Sequence, residues 1–397
     1  MSNGAGKTRP RRLLLCLDGV PHKLIEQAKS RGLFDSFGSP TRLLSPFPTM
    51  TNVALSAMLG ASPPDGYESL YFDRKAGELR GGIRKYIGRR TPDKIPSSYM
   101  DDLDYQEPLA FEFLIYVAPD KIWRTDMQRF RERFRAAPQT RDYFAFLKAT
   151  DGLLHAQGPE RLRVALESLD KILREIQSYC GKETEIVMFS DHGMNLEENR
   201  RVPLTEALQR RGFQVVIPAF GLCSYAALYC PDTDVIPEVA RASAEITGVD
   251  FAIYKDGSDV VVESERGPAR IQQRSDADGF SYRYLATDGD PLGLRDRHDG
   301  FGSDRDWFNE TAGHRYPDAL ANIYKSLFTP RVKHTADILV SLKDRYYYGW
   351  SPFGRLVRLA ATHGNALQSS SNAFLMSTHR ELPAFVRADD ARALLRH

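Results

Sequence analysis

Groups able to ligate a metal recur at short spacing along this 397-residue chain. In "EIVMFSDHGM" (185–194) an apolar run stops at Ser190, Asp191 and His192, and a glycine follows at once. In "TDGLLHAQGP" Asp151 and His155 stand four apart, a spacing that lets both side chains address one ion from a single helical turn or a tight loop. In "AATHGNALQSSSNAFLM" His363 and Gly364 precede a serine-rich turn, and "RLLLCLD" (12–18) closes on Asp18. A carboxylate beside an imidazole is costly to bury unless something pairs with both, and a divalent cation is a common partner for mixed oxygen and nitrogen donors. Each stretch also has a plain structural reading. Asp191 can cap a following helix with His192 as a satisfied loop residue, and His363 is one of nine histidines.

A hydroxyl nucleophile has two candidates in "SPFPTMTNVALSAMLGASPPDGYE", a proline-bounded turn carrying Thr49 and Thr51 ahead of a helix-like segment ending near Gly60. Either threonine serves equally as a helix N-cap. The same geometry suits catalysis, because the N-terminal N–H groups of a helix favour an anion and a metal lowers the pKa of a hydroxyl.

The elements that must hold these groups are legible as short apolar runs: "RLLLCLD" (12–18), "FLIYV" (113–117), "YFAFLKATD" (143–151), "EIVMFSD" (185–191) and "DILVSL" (337–342). They read as strands buried on both faces. Between two of them "PERLRVALESLDKILREIQSY" repeats Leu162, Ala165, Leu166, Leu169, Leu173 and Ile176 at helical steps. Strand and helix in alternation predict an α/β fold with a doubly wound, mostly parallel sheet flanked by helices. Ligands in such sheets sit beyond the carboxyl ends of the strands, where Asp18, Asp151 and Asp191 each close an apolar run. Residues 213–290 differ in texture. "FQVVIPAF", "CSYAALYC", "DFAIYKDGSDVVVES" and "ARIQQR" read as short strands with a turn at Asp256-Gly257 and one helix near 236–247. They predict a small α+β cap inserted into a core of 12–212 and 291–397, with 1–11 a disordered leader and 294–315 a long loop.

Bulk composition is that of a globular protein: 42% hydrophobic, with Lys plus Arg exceeding Asp plus Glu by two, 54 against 52. The net charge gives no reason to expect a nucleic-acid polymer or an anionic membrane as partner. "LLLCL" is too short for a signal-peptide core, and no run approaches the roughly 18 apolar residues of a membrane span. Cys16, Cys180, Cys223 and Cys230 show no C-x-x-C spacing, so reduced thiols in a cytoplasmic protein are expected.

Taken together, the stretches resemble the alkaline phosphatase superfamily, in its type I phosphodiesterase/nucleotide pyrophosphatase branch. The matching order is a strand ending in Asp18-Gly19, "FPTMT" leading into a helix, "DGLLHAQGP", "SDHGM" and a late "HG". The resemblance implies a hydrolase of phosphate esters acting on a small phosphorylated substrate with two divalent metals, usually zinc, and the donors also suit manganese or iron. It implies that Asp18, Asp191, His192 and the nucleophile hydroxyl hold one ion and that Asp151, His155 and His363 hold the other. It places the attacking threonine at Thr51, with Thr49 the fallback. Two departures stand out: "NVALSAMLG" follows Thr51 in place of a proline-asparagine continuation, and "GYESLYFD" lacks the asparagine that commonly contacts phosphoryl oxygens, leaving Asn52 as a substitute.

The other candidates stand alone. His22, His298, His314, His334 and His379 have no partner at ligand spacing; Arg84, Arg89 and Arg90 read as a solvated charge run, with contact to an anionic substrate the alternative, and "DRYYYGW" reads as the edge of a core, with a cleft wall the alternative. Rival activities on the same site are a phosphomonoesterase and a phosphonate hydrolase. A rival of another class is a catalytically silent phospho-ligand binder, which requires that one of the six carboxylate and imidazole ligands fail to reach the site.

Overall fold

The computed structural model describes residues 11–82, 98–108, 114–115, 118–219, 221–277, 279–295, 297, 300–329, 331–349 and 359–396. Residues 1–10 of the expected leader, most of the expected strand 113–117, Arg84, Arg89, Arg90, His298 and Trp350 lie outside them. Arg11, read with the leader, is buried with its guanidinium over the Phe134 ring.

The expected α/β sheet is present. Its seven strands run in the order Phe385–Arg387, Thr41–Leu44, Asn372–Ser377, Glu185–Phe189, Arg12–Leu17, Tyr143–Leu147 and Tyr105–Gln106. Arg12–Leu17 pairs in parallel with both of its neighbours, and Asn372–Ser377 is the antiparallel member. Alternation along the first strand explains why helices cover both faces. Leu13, Leu15 and Leu17 pack with the helices His22–Ser30, Pro119–Ala136 and Ala149–Cys180, while Leu14 and Cys16 face Thr51–Leu59 and Ala388–Arg396.

A second seven-stranded sheet is wholly antiparallel. Its order is Tyr225–Leu228, Ile338–Leu342, Val249–Asp256, Asp259–Glu263, Ala269–Asp276, Gly279–Ala286 and Gly302–Ser303. Asp256 pairs with Asp259 around the expected hairpin turn, and the expected helix is Ile236–Ala244. The second sheet extends beyond the residues 213–290 read as different in texture. Ile338–Leu342, expected in the main sheet, lies between two strands of the second, because five consecutive buried residues read the same in either setting. The span 294–315, expected as loop, contains strand Gly302–Ser303 and helix Asp304–Thr311, and Trp307 with Leu320 and Ile323 of helix Ala319–Phe328 fills the second sheet's core. "FQVVIPAF" forms no strand among its described residues, only a bridge from Val216 to Tyr229. Among the described residues no helix is long and apolar enough to cross a membrane.

One face of the second sheet reaches under the turn that carries the threonines. Phe47, Met50, Val53, Ala366 and Leu367 belong to the same buried cluster as Phe251, Ile253 and Trp307. The threonine turn and the second sheet therefore share one buried cluster.

Candidate active site

Asp18 and Asp191 leave the carboxyl ends of adjacent strands of the main sheet, fully buried. Thr51 opens the helix Thr51–Leu59 as its first residue, after Met50 at the cap position. Asp151 differs from expectation: strand Tyr143–Leu147 ends early, and Asp151 sits in the first turn of helix Ala149–Cys180, with His155 one turn on. Gly158, at φ 73°, breaks that helix just after the pair. His192 follows Asp191, and His363 arrives on the chain preceding helix Gln368–Ser371. All seven expected side chains meet at one end of the sheet.

Distances define two overlapping groups. Asp18, Asp191 and His192 form one, and Asp151, His192 and His363 the other, with ligand atoms inside each group within 4.8 Å of one another. His155 joins through Asp151, its Nε2 lying 3.2 Å from Asp151 Oδ1, which His363 Nε2 faces at 3.7 Å. His192 Nε2 lies 3.5 Å from Asp18 Oδ1 and 3.4 Å from Asp191 Oδ2. Thr51 Oγ1 stands 3.3 Å from Asp18 Oδ1 and 3.2 Å from His192 Nε2. The rings of His192 and His363 stack at 3.9 Å.

The histidine tautomers follow from the backbone. Nδ1 of His155 meets the Ala361 carbonyl at 2.8 Å, Nδ1 of His192 meets Gly193 O at 2.9 Å, and Nδ1 of His363 meets Thr49 O at 2.7 Å. A carbonyl only accepts, so each Nδ1 donates its proton, and in its neutral form each ring turns the lone pair of Nε2 toward the carboxylates. Lone pair facing lone pair is repulsive unless a cation lies between. Asp18 Oδ2, Asp151 Oδ1 and Asp191 Oδ2 are buried without a hydrogen-bond partner, and unpartnered oxygens among oriented Nε2 atoms are the donor set of a metal site. The residues present fit divalent cations.

Proton affinities report the same frustration. Burial raises Asp18 well above the usual carboxylate range, with Asp191 and Asp151 adding repulsion, and burial lifts Asp191 to about 6. Burial pushes His192 down to about 4, and burial together with His192 pushes His363 down to about 3, keeping both imidazoles neutral and available as ligands. Burial also acts to raise Asp151, but His155, His363 and His192 outweigh it and hold that carboxyl below its ordinary value. His155 is raised by Asp151 against the opposing effect of its burial.

Glycine is required at position 19. With φ at +69°, a Cβ there would stand 2.9 Å from Asp151 Oδ1 and 3.3 Å from His192 Cε1. Gly19 N–H also donates to Asp191 Oδ1 at 3.1 Å. Ser190 Oγ accepts from Val20 N–H at 3.0 Å and donates to the His192 carbonyl at 2.6 Å, and Thr150 Oγ1 donates to the Asp18 carbonyl at 2.7 Å.

The capping readings fail on geometry. Neither threonine caps the helix through its side chain, and no helix follows Asp191 for it to cap. Thr49 is fully buried, its Oγ1 accepting from Gly364 N–H at 2.9 Å and donating to the Asn365 carbonyl at 3.2 Å, so its hydroxyl ties two loops together. Asn52, the candidate substitute for the phosphoryl-contacting asparagine, accepts through Oδ1 from Tyr99 OH at 3.0 Å. The isolated histidines have structural partners. His22 Nε2 meets Pro40 O, His334 stacks on Tyr71, His314 Nδ1 accepts from Tyr316 N–H, and His379 bridges Thr378 and the Lys182 carbonyl. Sequence reasoning missed the Ala361, Gly193 and Thr49 carbonyls that orient the ligands, since a carbonyl is common to every residue and carries no signal.

Residues 71–279, just over half of the chain, match the family model of type I phosphodiesterase / nucleotide pyrophosphatase. The chain belongs to that family. It is thereby a member of a group of hydrolases acting on phosphoric ester bonds within the alkaline phosphatase superfamily. The matched span carries Asp151, His155, Asp191 and His192, while the fold brings in Asp18, Thr51 and His363 from outside it. No curated protein sequence matches the chain. Among solved structures it is similar to phosphonoacetate hydrolase from Sinorhizobium meliloti 1021 in complex with phosphonoformate, at 15% identity over 98% of this chain and 95% of that one, TM-score 0.57. It is also similar to human ectonucleotide pyrophosphatase / phosphodiesterase 5, at 12% identity over 97% and 93%, TM-score 0.54. The murine form of the latter was solved with AMP, at 12% identity over 97% and 94%, TM-score 0.50. These likenesses establish a shared fold across nearly the whole length of each chain.

Proposed function

We propose that this phosphodiesterase-family chain hydrolyses small phosphodiesters or nucleotide pyrophosphate bonds through Thr51, with two divalent cations, zinc by preference of the histidines. Asp18, Asp191, His192 and Thr51 would hold one, and Asp151, His155 and His363 the other. The cations would neutralise charge on the phosphoryl oxygens and lower the pKa of the attacking hydroxyl. Thr51 Oγ1 forms the new bond to phosphorus as the leaving ester oxygen departs in line, and water then hydrolyses the threonyl phosphate to restore the hydroxyl. The N-terminus of helix Thr51–Leu59 would favour the negative charge of a phosphoryl group bound at Thr51 through its free N–H groups and positive dipole end. We take the second-sheet domain, residues 213–342, as the cap that shapes what fits, replacing the expected span of 213–290. Four unpaired cysteines support a reducing compartment such as the cytoplasm.

The observation that carries this reading is Thr51 Oγ1 within 3.3 Å of both Asp18 Oδ1 and His192 Nε2, beside three carboxylate oxygens without partners. Thr51→Ala is expected to abolish release of 4-nitrophenol from bis(4-nitrophenyl) phosphate while metal content and fold persist. Unchanged turnover in that variant would sink the assignment. The structural likeness to phosphonoacetate hydrolase favours a second reading, carbon–phosphorus hydrolysis on the same donors. Parallel assays on bis(4-nitrophenyl) phosphate, 4-nitrophenyl phosphate and phosphonoacetate separate the diesterase, monoesterase and phosphonatase activities.

A further inference from the structure

The turn that delivers Thr51 is gripped from behind by the second domain. Residues 45–50 leave strand Thr41–Leu44 and enter the helix at Thr51. Asn322, buried on helix Ala319–Phe328, donates through Nδ2 to the Ser45 carbonyl at 3.1 Å and accepts from Phe47 N–H through Oδ1 at 2.7 Å. One amide thus takes the place of a neighbouring strand for two alternate groups of extended chain. Both of its ends are committed, so its orientation is determined.

The grip has a fixed reference. Asp318, directly before that helix, accepts two bonds of 2.7 Å from Arg387, and Asn322 N–H bonds to Asp318 O at 2.9 Å. Arg387 pairs in strand register with Leu44, the residue preceding the gripped turn. The route from Arg387 through Asp318 and Asn322 to Ser45 closes a ring around the turn. On its other side the turn touches both ligand groups: Ser45 Oγ donates to the Asp191 carbonyl, and Thr49 O accepts from His363 Nδ1 at 2.7 Å. A displacement of residues 45–50 shifts Thr51, the residue that follows the turn.

We propose that Asn322 is a positioning residue for the nucleophile, its amide setting where the turn holds Thr51 Oγ1; this rests on the assignment of Thr51 above. Among the described residues its side chain bonds to turn backbone alone, so it acts on Thr51 through geometry, and misplacement of a reacting group by about 1 Å can cost on the order of 100-fold in rate. The full chain, loaded with zinc, is assayed with bis(4-nitrophenyl) phosphate as Asn322→Leu and Asn322→Asp. Asn322→Leu is expected to lower kcat by roughly 10- to 100-fold with KM and metal equivalents unchanged. Asn322→Asp keeps the acceptor for Phe47 N–H and loses the donor to Ser45 O when ionised. Its kcat relative to wild type at the same pH should recover toward acid, where the protonated carboxyl again donates. If Asn322→Leu does not fold, Asn322→Asp carries the test by this pH profile. Wild-type kcat in these variants, or metal content and KM lost in step with kcat, overturns the positioning role. Loss of activity in Thr51→Ala beside wild-type kcat at Asn322 refutes the positioning role alone, whereas full activity in Thr51→Ala refutes the reading beneath it.

Discussion

Gly19→Ala tests the site with a single methyl group. Position 19 has φ +69°, and an alanine held in that left-handed region costs about 1–2 kcal/mol. Its Cβ would also stand 2.9 Å from Asp151 Oδ1 and 3.1 Å from Met194 Cε, where ordinary contact begins near 3.4 Å. Asp151 must then retreat by roughly half an ångström, about the tolerance within which a catalytic constellation has to be held. Met194 is itself buried in the core, and Asp151 faces both His155 and His363 and cannot move without leaving their shared focus. The expected result is a loss of about 1–2 kcal/mol in urea unfolding, a fall in bound metal from two equivalents toward one, and a drop in kcat of about 10- to 100-fold. Elemental analysis of the purified variant, urea titration followed by tryptophan fluorescence, and initial rates on bis(4-nitrophenyl) phosphate supply the three readouts. Two full metal equivalents with wild-type kcat would show that Asp151 does not need its present place, and the two-group arrangement would have to be abandoned.

Chelation with EDTA is expected to abolish turnover and lower the unfolding midpoint, with zinc restoring both. A cation at 100 times its dissociation constant adds about 2.7 kcal/mol to the folded state, so an unfolding curve indifferent to EDTA would argue against metal binding. Thr49→Val removes the acceptor for Gly364 N–H and should cost about 1–3 kcal/mol in unfolding while slow turnover persists, in contrast to Thr51→Ala; complete inactivity with unchanged stability would return the nucleophile to Thr49. Arg387→Ala leaves Asp318 buried without its partner, and about 3 kcal/mol or more should be lost at pH 8. Burial already raises Asp318 to about 6 against the pull of Arg387, so its contribution is full below the unfolded carboxylate range and lost as pH rises through 6. Removing Arg387 raises it further. The deficit measured by urea unfolding should therefore be smallest near pH 5 and widest near pH 8, and a deficit independent of pH would contradict the assignment.

Local signals were enough where chemistry and structure coincide in a few consecutive residues. The alternation of Leu13, Leu15 and Leu17 with Leu14 and Cys16 marks a strand covered on both faces, and Asp18 and Asp191 at the ends of apolar runs mark the ligand end of a sheet. Where the local pattern is shared by two settings it misled. "DILVSL" is equally apolar in a parallel or an antiparallel sheet, and only its pairing with Tyr225–Leu228 and Val249–Asp256 puts it in the second sheet. Asp151 follows a run that looks continuous to residue 151, yet the strand stops at Leu147 and the helix begins at Ala149.

By itself the sequence specified which donors exist and which lie near each other along the chain: a carboxylate and an imidazole four apart, another pair adjacent, and a threonine at a helix start. Residue type and short spacing are properties of the covalent chain, so they survive without a fold. Only the tertiary structure decided that Asp18, Thr51, Asp151, Asp191 and His363 share one focus, which nitrogen of each histidine faces it, and that Asn322 holds the turn beneath Thr51. Those outcomes depend on backbone carbonyls and on contacts between residues up to 314 positions apart. They arise only once distant segments are folded together, and no window of sequence contains them.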